Sequence, residues 1–206
     1  MENHFEAAYR DAFELAKKQL LALDITQVCA YSGARLIAQS PIPKLELLYL
    51  NSPIFLELPS CDFSTANSIE VHIWDQILLL HYLANAKSES TISRQIGFKE
   101  LKSAALYYQL FEARCLKQLI KAFGSQPDLL VETAQALGGQ ILQTGDAGVR
   151  LQVLPKIPIS CVLWKADDEF PASASILFES TIEQYLSAED IVVMCQRMVL
   201  KLLKKW

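Results

Sequence analysis

The sequence predicts an α+β fold: a single domain over residues 1–206, in which a mostly antiparallel sheet is covered by helices. Three observations carry this. Stretches near both ends place apolar residues at helical period. Short apolar runs broken by glycine and proline fill two regions between them. A chain of 206 residues with 51% hydrophobic side chains also supplies enough apolar surface for one self-standing core.

In chain order, Phe5, Ala8, Tyr9, Phe13, Ala16 and Leu20 give a first helix over residues 5–23. From Thr26 to Leu58 the runs Val28–Tyr31, Leu45–Leu50 and Ile54–Leu58, separated by Ser32-Gly33, Pro41, Pro43 and Asn51-Ser52-Pro53, read as antiparallel strands with tight turns. Asn67 with Glu70 three residues on is the expected cap of a second helix, with Ile69, Ile73, Ile77 and Leu80 on its buried face and its end near Asn85. The serine- and threonine-rich segment at 87–97 reads as an exposed connector, a hinge if the domain has two lobes. A helix follows over 99–123, buried through Leu101, Ala105, Tyr108, Cys115 and Leu119 and stopped at Gly124. Pro127 opens a shorter helix that Gly138-Gly139 closes. From Gln140 a strand is expected, then the turn Gly145-Asp146-Ala147-Gly148 and further strands at Arg150–Leu154, Ile159–Trp164 and Ser175–Phe178. Ser187, with Asp190 three residues on, caps a last helix whose buried face is Ile191, Met194, Met198 and Leu202, and whose final turns carry Lys201, Lys204 and Lys205.

The charge balance sets limits on function. Lys plus Arg number 19 against 23 Asp plus Glu, a net charge of −4, the wrong sign for a generic phosphate-backbone binder, so nucleic acid is not an expected partner. Charges at Glu6, Arg10, Asp11 and Glu14 break any secretory h-region, and the longest apolar runs fall well short of the roughly 18 residues that span a bilayer, so no membrane association is expected. The five cysteines are widely spaced with no C-x-x-C pair, which fits reduced thiols in a cytoplasm and offers no iron-sulfur or zinc motif.

The densest chemical feature is Trp164-Lys165-Ala166-Asp167-Asp168-Glu169-Phe170-Pro171. Carboxylates crowded in one loop can ligate a hard divalent cation, with Asp168 and Glu169 as the candidate ligands, or hold a raised pKa for proton transfer. The alternative is a solvated turn whose carboxylates bond their own backbone. Asp146, in the turn Gly145-Asp146-Ala147-Gly148, is placed to meet this loop. The glycines there precede strand-like sequence and lack G-K-[ST], so a hairpin turn explains them better than a phosphate cradle. Tyr107 and Tyr108, with Phe111 and Arg114, give one helix aromatic and cationic groups that could stack a flat ligand or pack in the core. His72 and His81 are nine residues apart and so fall on opposite helix faces, which rules out shared chelation; His72 has Asp75 at i+3 to orient its ring. No nucleophile elbow is present, and Cys161 and Cys115 read as core residues before they read as nucleophiles.

Gly97-Phe98-Lys99-Glu100-Leu101, Tyr107-Tyr108-x-x-Phe111, Phe123-Gly124, Leu137-Gly138-Gly139, Gly145-Asp146-Ala147, Leu154-Pro155-Lys156-Ile157-Pro158, Trp164 through Asp168-Glu169-Phe170-Pro171, Leu177-Phe178, Tyr185-Leu186 and Glu189-Asp190 together resemble the uncharacterised family called domain of unknown function 3786. The likeness covers most of residues 70–192. Some members are labelled iron-sulfur proteins because they carry an extra cysteine-rich module; this sequence shows none, and the label is not carried over. Ser103-Ala104 and Lys165-Ala166 stand where the family tends to have glycine. The resemblance implies a cytoplasmic protein of anaerobic metabolism, an accessory to a metal, corrinoid or tetrapyrrole cofactor, and it supplies no catalytic residue.

The resulting expectation is a non-catalytic ligand-binding or accessory protein, its pocket edged by Asp146, Trp164, Asp167, Asp168, Glu169, Phe170, Tyr107 and Tyr108. Two alternatives stand beside it: a metal-dependent hydrolase using residues 167–169, and a protein–protein interaction module.

Overall fold

The computed structural model describes residues 4–38, 42–87 and 93–203. Helix α1 (His4–Leu21) and the short α2 (Ile25–Ser32) precede a sheet of β1 (Arg35–Ile37), β2 (Lys44–Tyr49), β3 (Ser52–Glu57) and β4 (Phe63–Thr65), antiparallel and in that order. After α3 (Ile73–Asn85) come β5 (Gln95–Gly97), α4 (Ala104–Phe111), a π-helical turn at Glu112–Leu116, α5 (Lys117–Phe123) and α6 (Pro127–Ala136). Strands β6 (Gln140–Leu142), β7 (Ala147–Leu154), β8 (Ile157–Trp164) and β9 (Ser173–Glu179) join β5 in a second antiparallel sheet ordered β5-β9-β8-β7-β6, and α7 (Ala188–Leu202) closes the fold. The fold is α+β, as the sequence predicts, with two sheets where one was expected.

Three elements differ from expectation for local reasons. Val28–Tyr31 lies in α2, not in a strand: Asp24 caps that helix by accepting the Thr26 N–H at 2.8 Å, and Gly33 ends it at φ 74°. The second helix begins at Ile73, not beyond Asn67, because Thr65 Oγ1 accepts the Ile69 N–H and Ser68 sits at φ 56°, which folds 65–69 into a turn. The helix expected over 99–123 is broken. Phe111, Cys115, Leu119 and Phe123 are buried at a spacing of four, which drifts by about 40° per step on an ideal helix. The π turn between α4 and α5 offsets that drift. The exposed connector expected over 87–97 is overturned at its end, where Gln95–Gly97 pair with β9 as strand β5 and Ile96 is buried; its middle, at 88–92, lies outside the described residues, as do Lys204 and Lys205.

The core runs between both sheets and α7, whose Ile191, Met194, Met198 and Leu202 are fully buried, as their spacing predicts. Ser187 and Asp190 form the expected capping box. Tyr82 ties the layers together: its hydroxyl donates to Ser32 O at 2.6 Å and accepts the Lys156 N–H at 3.1 Å. Cys115, Cys161 and Cys195 are buried, and burial raises all three thiols, that of Cys161 to about 12, so they pack as apolar side chains. Among the described residues no helix is long and apolar enough to cross a membrane.

Gly145 sits in the turn before β7 at φ 70°, and a Cβ there would stand 2.6 Å from Leu163 O. Gly145→Ala is therefore expected to destabilise the protein by roughly 1–3 kcal/mol, read as a lower urea midpoint with unchanged slope.

Candidate functional site

The acidic hairpin tip is shaped by the first of its own carboxylates, Asp167. Asp167 Oδ1 accepts the N–H groups of Glu169 at 2.9 Å and Phe170 at 2.7 Å, and these bonds hold its carboxyl below the usual range. Asp146 Oδ2 accepts the Lys165 N–H at 2.7 Å, so the two turns do meet, through backbone. Trp164, Asp168, Glu169 and Phe170 are exposed. Among the described residues no group of three or more His, Cys, Asp or Glu side chains is arranged to hold a metal ion, Asp168 and Glu169 included.

The tyrosine pair lies elsewhere. Tyr107 donates to Glu189 Oε2 at 3.1 Å, beside Glu183, which follows the far end of β9 from the hairpin tip. Strand β9 alone spans about 20 Å. Tyr108 packs on Phe98, with Lys99 Nζ 4.4 Å from its ring centre. Among the described residues no hydrogen bond, ion pair or ring contact joins the tip to either tyrosine.

A different set of residues converges on a cavity of about 290 Å³ between the first sheet, the start of α3 and α7. Strands β2 and β3 are joined through Leu50 and Asn51, both at positive φ (49° and 60°), the backbone of a two-residue hairpin turn. Leu50 is fixed there by its N–H bond to Val153 O in the other sheet, 2.9 Å. This turn ends β2 with Tyr49 pointing inward, 4% exposed. Across from it, Asp75 lies in the first turn of α3, on the same face as Leu78, Leu79, Tyr82 and Leu83, and is 2% exposed.

Asp75 is the centre of a buried polar network. Its Oδ1 accepts the Tyr49 hydroxyl at 2.9 Å and Arg197 Nε at 2.9 Å, while a second Arg197 nitrogen bonds Oδ2, a two-point ion pair. Burial and the neighbouring Asp75 charge raise the Tyr49 hydroxyl well above the phenol range, so it remains a donor. Leu50, Pro53, Ile54, Ile69 and Val71 make the walls above this floor, with Ala66 and Lys201 also lining the cavity. His72 does not pair with Asp75: its Nδ1 accepts the Trp74 N–H at 3.2 Å and caps α3. Tyr49 and Arg197 were not singled out in the sequence. The signal for the site was Asp75 itself, a carboxylate at i−3, i−4, i−7 and i−8 from four buried apolar positions.

No curated protein and no solved structure matches the chain. The family model described as Domain of unknown function (DUF3786) matches residues 24–201, which includes Tyr49, Asp75 and Arg197, and the chain belongs to that family.

Proposed function

We propose that this chain is a non-catalytic ligand-binding protein whose pocket is the cavity over Tyr49, Asp75 and Arg197. The observation that carries the reading is a buried, hydrogen-bonded ion pair at the floor of a concavity walled by Leu50, Pro53, Ile54, Ile69 and Val71 and also lined by Asn67, Glu70 and Lys201. Such a pair adds little stability over apolar side chains of the same size, so its position is better explained by what it offers a bound molecule. Both Asp75 oxygens are engaged and Tyr49 is held protonated, which favours binding over acid–base turnover. The cavity volume, about 290 Å³, is near the small end for ligand pockets and favours a compact molecule with an apolar body and one polar end over a corrinoid or tetrapyrrole ring. The placement in anaerobic metabolism comes from the family resemblance.

Calorimetry with para-cresol, a neutral probe of this shape, tests the reading. Saturable binding is expected to the natural chain and to be lost in Ala66→Trp, which fills the cavity from its exposed rim. Equal heats for both proteins would contradict it.

A further inference from the structure

Outside this cavity, the most developed chemistry is an imidazole–carboxylate pair on the wall of a second groove. His81, in α3, places Nδ1 2.8 Å from Asp190 Oδ1. Asp190 is itself fixed, since its Oδ2 accepts both the N–H and the Oγ–H of Ser187, at 3.1 and 2.7 Å. The ring orientation is therefore set, and among the described residues no hydrogen-bond partner reaches Nε2. The groove, about 400 Å³, runs between α1, α3, the π turn and α7. Tyr9 and Trp74 meet edge to face along it, with ring centres 6.0 Å apart. The π turn, a feature that often marks functional positions, brings Arg114 to the same groove.

We infer that this groove is a second ligand site, taking a flat apolar carboxylate, an aryl or heteroaryl acid, with its ring against Trp74 and Tyr9 and its carboxylate toward His81 Nε2 and Arg114. Of the two carboxylates facing the groove, Asp190 is paired with His81 and Glu189 accepts the Tyr107 hydroxyl, while Arg114 reaches the neutral Gln196 Oε1 at 3.3 Å and keeps its positive charge. Two cationic donors and an aromatic wall then match one planar acid. The groups around His81 are Asp190 and Glu189 from α7, Arg114 from the π turn and the Tyr9 phenol from α1. The Asp190 hydrogen bond raises the imidazole pKa against the opposing effect of burial. Protonated, Nε2 donates to the ligand; neutral, with Nδ1–H given to Asp190, it presents a lone pair and repels a carboxylate. Affinity is therefore high below the imidazole pKa and falls as pH rises through it.

Calorimetric titration of the full chain with naphthoate tests this site separately from the first cavity. The expected result is one saturable site, binding about tenfold weaker in His81→Gln, severalfold weaker in Arg114→Met, and unchanged in Ala66→Trp. Affinity should also fall in the natural chain as pH rises above the ordinary imidazole range, the Asp190 hydrogen bond having raised the pKa. Arg114 is exposed, so its variant keeps the test decisive should His81→Gln fail to fold. Absence of saturable binding, equal affinity in both groove variants, or loss in Ala66→Trp alone would overturn the assignment.

Discussion

Asp75→Ala lowers the melting temperature by roughly 10 °C, corresponding to about 3–5 kcal/mol for a chain of this size. The magnitude follows from what the carboxylate leaves behind. Arg197 has a side chain only 15% exposed and Tyr49 is buried, so removing their shared acceptor takes from a mostly buried guanidinium its two-point partner and from a buried hydroxyl its acceptor. The double variant Asp75→Leu with Arg197→Met is expected to recover most of the loss, because it removes both charges together. Differential scanning fluorimetry on the three proteins separates the two effects. A double variant no more stable than Asp75→Ala would show that the network matters through its shape and not through its charge.

Phe111→Ala is expected to cost about 3–5 kcal/mol, again roughly 10 °C in melting temperature. Phe111 is 1% exposed and stacks on Phe98 with ring centres 4.1 Å apart and planes within 15°. It also meets Phe178 of β9 at 6.3 Å, so one ring links α4, the turn after β5 and the second sheet. It stands immediately before the π turn, and a cavity there removes the contact that seats that turn. Chemical denaturation checks the magnitude; a loss below about 1 kcal/mol would mean the surrounding rings collapse into the space.

The parts of the fold legible in the sequence were those in which local and tertiary preferences agree. The last helix is the clearest case: Ser187 and Asp190 cap it locally, and Ile191, Met194, Met198 and Leu202 bury one face. Where the two disagree, the reading failed. Val28–Tyr31 is a short β-prone run, yet Asp24 and Gly33 at its ends impose helix on it. Ile69 and Ile73 suggested the buried face of α3, but Ile69 is 65% exposed in the turn before the helix, and the buried stripe begins at Asp75. The candidate pocket was hidden for a related reason. Tyr49, Asp75 and Arg197 are far apart in sequence and share no motif, so only the packing of β2, α3 and α7 brings them together. The acidic run at 167–169 drew attention through density alone, whereas its first carboxylate bonds the two backbone amides that shape its own turn.

The pocket over Asp75 is tested most directly by native mass spectrometry of the chain purified without air from cell extract, beside Ala66→Trp treated identically. A bound small molecule on the natural chain that is absent from the variant is the predicted result. The bare mass for both proteins, or the same adduct on both, would contradict it.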